Sequence, residues 1–244
     1  MIIAYAKSDI GKAREMNQDA YYISDSTSEV KLYLLADGMG GYKGGEIASN
    51  LAIKCTKSYI ENNFKDTPKD KESLIQLVAS SMEYANMVVY ERAKENKELE
   101  GMGTTLEVCL IYNNKAYIGH IGDSRIYRIR KDFIRKLTQD HSYVQKLVKD
   151  GTITKEEAEN HPKKNMLMKA LGCNAFVEPD VSVKGFLRDD ILLISSDGLT
   201  NMVKQEDIFR IAKGNIEKAP IRLVDLANEN GGLDNITVVV LKNI

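Results

Sequence analysis

Apolar residues along the chain fall into short runs, which predict strands, and into longer periodic stretches, which predict helices. The strand-like runs cover residues 30–36, 104–112, 115–121, 125–130, 133–137, 191–194 and 236–241. Several of them are apolar almost without interruption, which is typical of strands covered on both faces. Asn113-Asn114 separates two of the runs and predicts a tight hairpin turn between them.

Three stretches carry apolar residues at the helical spacing of three and four. The first has Ile47, Ala48, Leu51, Ala52 and Cys55, the second has Leu74, Leu77, Val78, Met82, Ala85, Val88 and Val89, and the third covers residues 221–227. Two consecutive helices between hairpin-spaced strands differ from the alternation of a parallel α/β sheet. The order predicts an α+β fold, with antiparallel sheet and helices packed on its faces.

Residues 141–172 differ from their surroundings, because they are polar and helix-forming although they lie between strands. We expect a surface excursion over the sheet there. Elsewhere Pro and Gly do not cluster over long stretches, and the sequence has no internal repeat or low-complexity linker. We therefore expect a single domain over residues 1–244.

Charge and cysteine content narrow the class of protein. Lys and Arg number 34 against 35 Asp and Glu, whereas nucleic-acid binding usually requires a basic surplus, so no nucleic-acid partner is expected. Cys55, Cys109 and Cys173 form no C-x-x-C pair, so we expect three small buried residues in a reducing compartment. The N-terminal apolar stretch is too short for a signal peptide. No run approaches the roughly 18 apolar residues of a membrane helix, and a cytoplasmic protein is expected.

Four aspartates stand at the ends of strand-like runs. Asp37, Asp123 and Asp197 each follow such a run, and Asp234 precedes one. The end of one antiparallel strand lies beside the start of its neighbour, so the four carboxylates are placed to meet at one sheet edge. Gathered carboxylates repel unless protons or cations intervene, and Mg²⁺ and Mn²⁺ prefer oxygen ligands of this kind. The pattern predicts a divalent-cation site.

Turn chemistry is the alternative for three Asp-Gly pairs, because Asp-Gly is among the strongest hairpin signals. These pairs are Asp37-Gly38, Asp150-Gly151 and Asp197-Gly198. The pattern of aspartates and strands by itself does not decide between a metal site and turns.

Six short motifs in order along the chain decide this question. They are Arg14-Glu15-Met16-Asn17-Gln18-Asp19, Asp37-Gly38-Met39-Gly40-Gly41 continued by Gly44-Gly45-Glu46-Ile47-Ala48-Ser49, Gly103-Thr104-Thr105, Gly122-Asp123-Ser124-Arg125, Ser196-Asp197-Gly198-Leu199 and Asp234-Asn235-Ile236-Thr237. Together they closely resemble the metal-dependent protein phosphatase family, also called protein phosphatase 2C, in its compact bacterial form. The resemblance implies two antiparallel sheets packed face to face with helices outside, and a helical flap at about 141–172.

The resemblance also implies a cofactor, namely two core Mn²⁺ or Mg²⁺ ions. Asp37 would bridge them, the Gly38 carbonyl would bind one of them, and Asp197 and Asp234 would complete the set. Asp123, together with Asp197, matches the position that holds a third, weaker ion in bacterial members. Gly103-Thr104-Thr105 is expected to be a strand start near this site, and the Gly44-Gly45 pair a close backbone approach at a helix start.

The implied reaction is hydrolysis of phosphoserine and phosphothreonine in proteins by metal-activated water, without a phosphoenzyme. Asp19 would orient the metal-bound water without binding an ion. Arg14 would hold the substrate phosphate, because its guanidinium offers a planar fork of donors that Lys lacks. The expected partners are phosphoproteins, including a Ser/Thr kinase and its substrates, and a monomer is expected.

The sequence departs from the family pattern at the proton donor. Many members have His where Met39 stands, and bacterial members often have His where Tyr42 stands. The general acid is therefore unassigned, with metal-bound water the first candidate and Tyr42 the second. His120 is expected to be a packed, hydrogen-bonded core residue, and His141 and His161 are expected to have structural roles in the flap, which we expect to border the substrate cleft.

Two other functions stay open at this point. One is a catalytically silent phosphoprotein-binding regulator on the same scaffold, although the retained aspartates argue against it. The other is a two-metal phosphoesterase acting on small molecules or nucleic acid. The neutral charge and the lack of a base-stacking aromatic pattern argue against nucleic acid as its substrate.

Overall fold

The computed structural model describes the backbone of residues 1–244 and every side chain except that of Tyr42. Its strands are β1 (Ile2–Asp9), β2 (Asp19–Ile23), β3 (Lys31–Met39), β4 (Gly103–Thr104), β5 (Leu106–Tyr112), β6 (Lys115–Ile121), β7 (Arg125–Arg130), β8 (Phe133–Lys136), β9 (Asp180–Gly185), β10 (Ile191–Ser195) and β11 (Ile236–Asn243). Its α-helices are α1 (Gly41–Phe64), α2 (Lys71–Glu95), α3 (Tyr143–Lys149), α4 (Lys155–Glu159), α5 (Asp197–Thr200), α6 (Gln205–Lys213) and α7 (Ala219–Glu229), and a 3₁₀ turn spans Lys97–Leu99.

The strands form two antiparallel sheets. The first has the order β1-β11-β10-β7-β8, and the second has the order β2-β3-β5-β6-β9, with β4 paired to the end of β3. Strands β1 and β11 pair along their whole length, with Ile2 opposite Asn243, so the two ends of the chain lie side by side. The expected antiparallel α+β architecture is confirmed.

The two sheets pack face to face, and helices cover both outer faces. Successive strand residues point to opposite faces. In β3, Leu34 therefore packs in the core formed with α1 and α2, while Tyr33 and Leu35 pack in the core between the sheets. Helices α5, α6 and α7 cover the first sheet. Central strands buried on both faces explain the near-continuous apolar runs of the sequence.

The local structure agrees with the sequence predictions at several points. Asn113 and Asn114 have φ of 46° and 56°, the left-handed conformation that a two-residue hairpin turn requires. Residues 141–172 contain the two short helices α3 and α4, each with a side-chain cap at its N-terminus. No helix of the described chain has the length and apolar character needed to cross a membrane.

The cysteines follow the expectation only in part. Cys109 is buried in the core and Cys55 is half-buried, but Cys173 is exposed. The expectation of burial is wrong for Cys173 because it follows Gly172 on the loop that returns from residues 141–172 to the sheet.

Candidate metal centre

Asp37 lies inside β3, two residues before its end, and not in a turn after it. Its N–H donates to Thr105 Oγ1 at 2.9 Å, and its carbonyl accepts from the Thr105 N–H and the Thr104 hydroxyl, both at 2.9 Å. These bonds satisfy the backbone of Asp37, so the turn interpretation of Asp37-Gly38 is wrong. Its carboxylate is held on a rigid strand and has no backbone group to cap.

Gly38 allows β3 to pass against the first turn of α1. A Cβ on Gly38 would stand 2.1 Å from the Gly45 carbonyl oxygen and 2.6 Å from that of Gln18. A Cβ on Gly45 would stand 2.7 Å from the carbonyl carbon of Gly38, which confirms the close backbone approach expected at Gly44-Gly45. No larger residue fits at either position, so the backbone beside Asp37 is fixed by packing as well as by hydrogen bonds.

Asp19 stands opposite Asp37 in the β2–β3 ladder. Its Oδ2 accepts a hydrogen bond of 2.9 Å from the hydroxyl of Ser196, the residue that follows β10 of the first sheet. Its Oδ1 is buried and has no hydrogen-bond partner. A buried oxygen left unpartnered in this way costs free energy unless a ligand or water completes it.

The first sheet supplies two further aspartates. Asp197 follows β10 and is the first residue of α5, so the turn interpretation of Asp197-Gly198 is also wrong. Asn201 Nδ2 donates to Asp197 Oδ2 at 3.0 Å. Asp234 comes two residues before β11, the strand that pairs with β10. Only Asp150-Gly151 is a turn, at the end of α3.

Asp123 lies in the connection that leaves β6 of the second sheet and enters β7 of the first. The following Ser124 hydroxyl bonds Thr105 Oγ1 at 2.9 Å, so the connection is tied to the same threonine that holds Asp37. The aspartates therefore gather across the end of the sandwich from both sheets. The expectation that one sheet edge supplies them all is wrong in this respect.

These carboxylates lie close enough to influence one another's ionisation. Burial raises the pKa of Asp37 well above its usual range, and the charges of Asp19, Asp197, Asp123 and Asp234 raise it further. Burial, with the charges of Asp197 and Asp234 as weaker causes, raises the pKa of Asp19 to about 7. Burial and Asp197 raise the pKa of Asp123 to about 7. Without a counter-cation, the cluster holds protons at a pH where aspartate is normally ionised.

The donor set fits a hard divalent cation, because it consists of carboxylates, one of which has an unpartnered buried oxygen. Among the described side chains, no three His, Cys, Asp or Glu groups converge closely enough to enclose one ion. A cation bound among these carboxylates would therefore take some of its ligands from water, as Mg²⁺ in proteins usually does.

Arg14 joins the cluster from the loop between β1 and β2. Its Nη2 lies 2.8 Å from Asp234 Oδ2, and its side chain is 53% exposed. The hydrogen bond with Asp234 raises the pKa of the guanidinium, and the charges of Asp197 and Asp37 act in the same direction. A cation thus stands at the mouth of the acidic centre, with more than half of its surface open to solvent.

Comparison with known proteins agrees with this geometry. A family model described as protein phosphatase 2C matches residues 11–216. This chain belongs to the protein phosphatase 2C family. It is 38% identical to protein phosphatase PhpP of Streptococcus pneumoniae over 239 residues, which is 96% of this chain and 94% of the relative.

Two solved structures are similar to this phosphatase over almost its whole length. The serine/threonine phosphatase of S. agalactiae superposes with a TM-score of 0.92 at 36% identity and covers 100% of both chains. The catalytic domain of the serine/threonine protein phosphatase PstP, solved in complex with 2 manganese ions, superposes with a TM-score of 0.86 at 34% identity, over 99% of this chain and 97% of that one.

Asn235 follows Asp234 beside the acidic cluster, and the sequence pattern assigns it no role. Its Nδ2 donates to the carbonyls of Ile10 and Met16, each at 2.9 Å, and its Oδ1 accepts from the Gln18 N–H at 2.8 Å. One amide thus fixes the loop that carries Arg14 against the start of β11. The only signal in the sequence was its position after Asp234, because its partners lie more than 200 residues away.

The histidines of this phosphatase lie outside the acidic cluster. His120 is buried and hydrogen-bonded to Glu107 and to the Gln139 carbonyl, as expected for a core histidine. His161 accepts from the Lys163 N–H at 3.1 Å within an exposed turn. Met39 ends β3 beside the centre and has no acidic proton. The candidate proton donor Tyr42 lies outside the described side chains.

Proposed function

We propose that this protein phosphatase hydrolyses phosphoserine and phosphothreonine in proteins by direct attack of water, without a phosphoenzyme. The mutual electrostatic influence of five aspartates, drawn from two sheets, carries the proposal. Asp37, the Gly38 carbonyl, Asp197 and Asp234 would hold two Mn²⁺ or Mg²⁺ ions, and Asp123 with Asp197 a third. Such ions supply a water nucleophile near neutral pH and neutralise charge on the phosphoryl oxygens.

The side chains around the ions have separate tasks in this proposal. Asp19 Oδ1 is unpartnered, so it can accept a hydrogen bond from the attacking water, while Ser196 keeps the carboxylate in place through Oδ2. Arg14 turns its planar donor fork from Asp234 towards two oxygens of the substrate phosphate. Asn235 fixes the loop of Arg14 beside Asp234 through three hydrogen bonds.

The proposal extends to partners and place of action. Similar proteins include ones named serine/threonine phosphatases, so phosphoproteins made by a Ser/Thr kinase are the substrates we propose, with this chain opposing that kinase as a cytoplasmic monomer. Residues 141–172 are proposed to be a flap that borders the cleft and contributes to substrate choice. Support comes from the bond between His141 and Gly122, the residue before Asp123.

A phosphatase assay tests the proposal directly. We expect Mn²⁺-dependent release of phosphate from a phosphothreonine peptide, and at least a hundredfold loss of rate with excess EDTA, because the ions supply the nucleophile. The same peptide carrying phosphotyrosine and a nucleoside monophosphate are the comparison substrates. Full turnover in EDTA would contradict the mechanism, and preference for either comparison substrate would contradict the substrate class. Mn²⁺ binding without any turnover would favour a silent regulator.

Arg14→Lys is expected to lower kcat/KM by about tenfold to a hundredfold at saturating Mn²⁺. Lysine keeps the charge but contacts one phosphate oxygen as a point donor, and a hydrogen bond to a charged group is worth about 1.5–3 kcal/mol. Arg92→Lys is the matched control, because Arg92 is 52% exposed and pairs with Glu95 on the outer surface of α2. Equal kcat/KM in the two variants would remove Arg14 from substrate binding.

A further inference from the structure

His141 makes two hydrogen bonds with one glycine. The His141 N–H donates to the Gly122 carbonyl at 2.7 Å, and the Gly122 N–H donates to His141 Nδ1 at 3.2 Å. Gly122 has a φ of +114°, and a Cβ there would stand 2.5 Å from Thr105 Cγ2, so this conformation and this packing need glycine. Asp123 comes next in the chain, so the pair of bonds fixes the direction in which the chain enters Asp123.

The same histidine is bonded to the far end of the flap. Its carbonyl accepts from the Met168 N–H at 2.7 Å, and the next step of the pairing joins the Tyr143 N–H to the Met166 carbonyl at 2.8 Å. Helices α3 and α4 lie between these two paired segments. His141 therefore stands at the base of the flap and contacts both its closing segment and the loop of Asp123.

A buried, hydrogen-bonded pair of side chains packs beside His141. Glu107 and His120 are hydrogen-bonded to each other, and their side chains are 0% and 3% exposed. His120 Nε2 bonds the Gln139 carbonyl at 2.9 Å, and its ring lies 4.6 Å from the ring of His141 between centroids. A side chain stacked on a rigid buried pair has little freedom to move alone, so a shift of the flap base is passed to Gly122.

The next residue reinforces the same connection. Asp140 accepts three hydrogen bonds from Arg125, including Nη2–Oδ2 at 2.7 Å, and one from Lys136 at 3.1 Å. Arg125 begins β7, two residues after Asp123. The segment that ends at His141 is thus bonded to the chain on both sides of Asp123.

The two ring nitrogens of His141 have different partners. Nδ1 accepts from a backbone N–H, so the ring proton is on Nε2, which faces Asp180 Oδ2 at 3.3 Å. Asp180 is 57% exposed on the edge strand β9, so this second contact is the weaker one. An amide side chain can reproduce either nitrogen separately.

We propose that His141 is a positioning residue that couples the flap to Asp123. The position of the flap then determines the orientation of the Asp123 carboxylate and the affinity of its site for the accessory cation. The part that concerns the cation rests on the proposed function. The coupling itself rests on the hydrogen bonds of His141 to Gly122 and Met168.

Three variants separate the contacts of His141. In His141→Asn the amide oxygen takes the place of Nδ1 and can still accept from Gly122. In His141→Gln the amide nitrogen takes the place of Nε2, and the acceptor for Gly122 is lost. Asp180→Asn is the control, because it weakens the exposed contacts of Asp180 with the His141 ring and with Lys169 and leaves both bonds between His141 and Gly122 intact.

Amide hydrogen exchange of the metal-free protein is the first measurement. In His141→Gln we expect exchange about tenfold faster at Gly122 and, together with it, at Met168, whose own bond to the His141 carbonyl is untouched by the substitution. His141→Asn and Asp180→Asn are expected to exchange like the wild type at both amides. The coupling would be overturned if the exchange rate rose at Gly122 alone, if it rose at neither amide, or if it rose equally in all three variants.

Met168→Pro tests the connection from the flap side, because proline removes the N–H that His141 binds. We expect faster exchange at Gly122 although no group near it has changed. Unchanged exchange at Gly122 in this variant would also overturn the coupling. A melting curve for each variant shows that the compared proteins are folded.

Calorimetric titration with Mn²⁺ tests the cation part. His141→Gln is expected to weaken the weakest site about tenfold and to leave the tighter sites unchanged, and equal weakening of every site would indicate a general structural role instead. If the wild type neither binds Mn²⁺ nor releases phosphate, the proposed function fails, but the exchange results still decide the coupling.

Discussion

Asp37→Asn is expected to lower kcat/KM for a phosphothreonine peptide by about 10³-fold or more. The amide has the size of the carboxylate, and the backbone bonds of Asp37 to Thr104 and Thr105 do not involve the side chain, so the strand stays in place. What is lost is the negative charge at the point where Asp19, Asp197 and the other carboxylates meet. Each tenfold step in rate corresponds to 1.36 kcal/mol, so 10³ is about 4 kcal/mol of transition-state stabilisation.

The control for this variant is Asp150→Asn, because Asp150-Gly151 repeats the Asp-Gly pair of Asp37-Gly38 but forms the turn after α3. Its kcat/KM should equal that of the wild type. In EDTA, Asp37→Asn should melt at the same temperature as the wild type or higher, since it removes a buried carboxyl whose charge its neighbours oppose. Retention of more than a tenth of the activity would exclude Asp37 as the central ligand.

Strands buried on both faces could be predicted from the sequence, because their apolar runs are almost continuous. The observed bounds of β6 and β7 agree with the predicted ones, 115–121 and 125–130. Strand β8 was also predicted although it lies at an edge, because only two residues separate it from β7 in a hairpin. Lys131 in that turn has a left-handed φ of 51°.

The missed strands β1, β2 and β9 are the other three edge strands of the two sheets. Their residues are mostly half-buried, so they show neither a continuous apolar run nor a clean alternation. The partner strands of β1 and β9 also lie far away in the chain, and Ile2 of β1, for example, stands opposite Asn243 of β11. Position at an edge, and not strand propensity, explains why the sequence did not reveal them.

The acidic residues of the centre could be predicted because they belong to short motifs, but their supports could not. Thr105 holds Asp37 by its backbone and side chain, and Asn235 holds the loop of Arg14 from 217 or more residues along the chain. Such contacts depend on how the two sheets pack. The sequence pattern also placed all the aspartates at one sheet edge, because it gave no sign that β3 and β10 belong to different sheets.

The metal-free phosphatase is expected to lose stability as the pH rises from about 5.5 to 8. The folded-state pKa values of Asp19 and Asp123, raised to about 7, lie above the unfolded value of 3.8. A raised carboxyl pKa means that the folded state binds the proton more tightly. The resulting stabilisation is complete below the unfolded pKa and is lost as the pH passes the folded pKa. Carboxylates with lowered pKa, such as Asp140, are fully ionised throughout this window and contribute no slope.

Excess Mn²⁺ is expected to abolish most of this pH dependence, because bound cations neutralise the carboxylates and bind only the folded state. A loss of roughly 1–3 kcal/mol without metal corresponds to a fall in Tm of about 5 °C for a chain of this size. The melting temperature should be followed from pH 5.5 to 8 with EDTA and with Mn²⁺. Glu107 and His120 also have raised pKa values, but they form a buried pair away from the cluster and contribute equally to both series. Their contribution to the pH dependence therefore cancels in the difference between the two curves. Parallel curves would mean that the aspartates do not form a common cation site, whereas curves that diverge with rising pH in the wild type and less in Asp37→Asn would establish that they do.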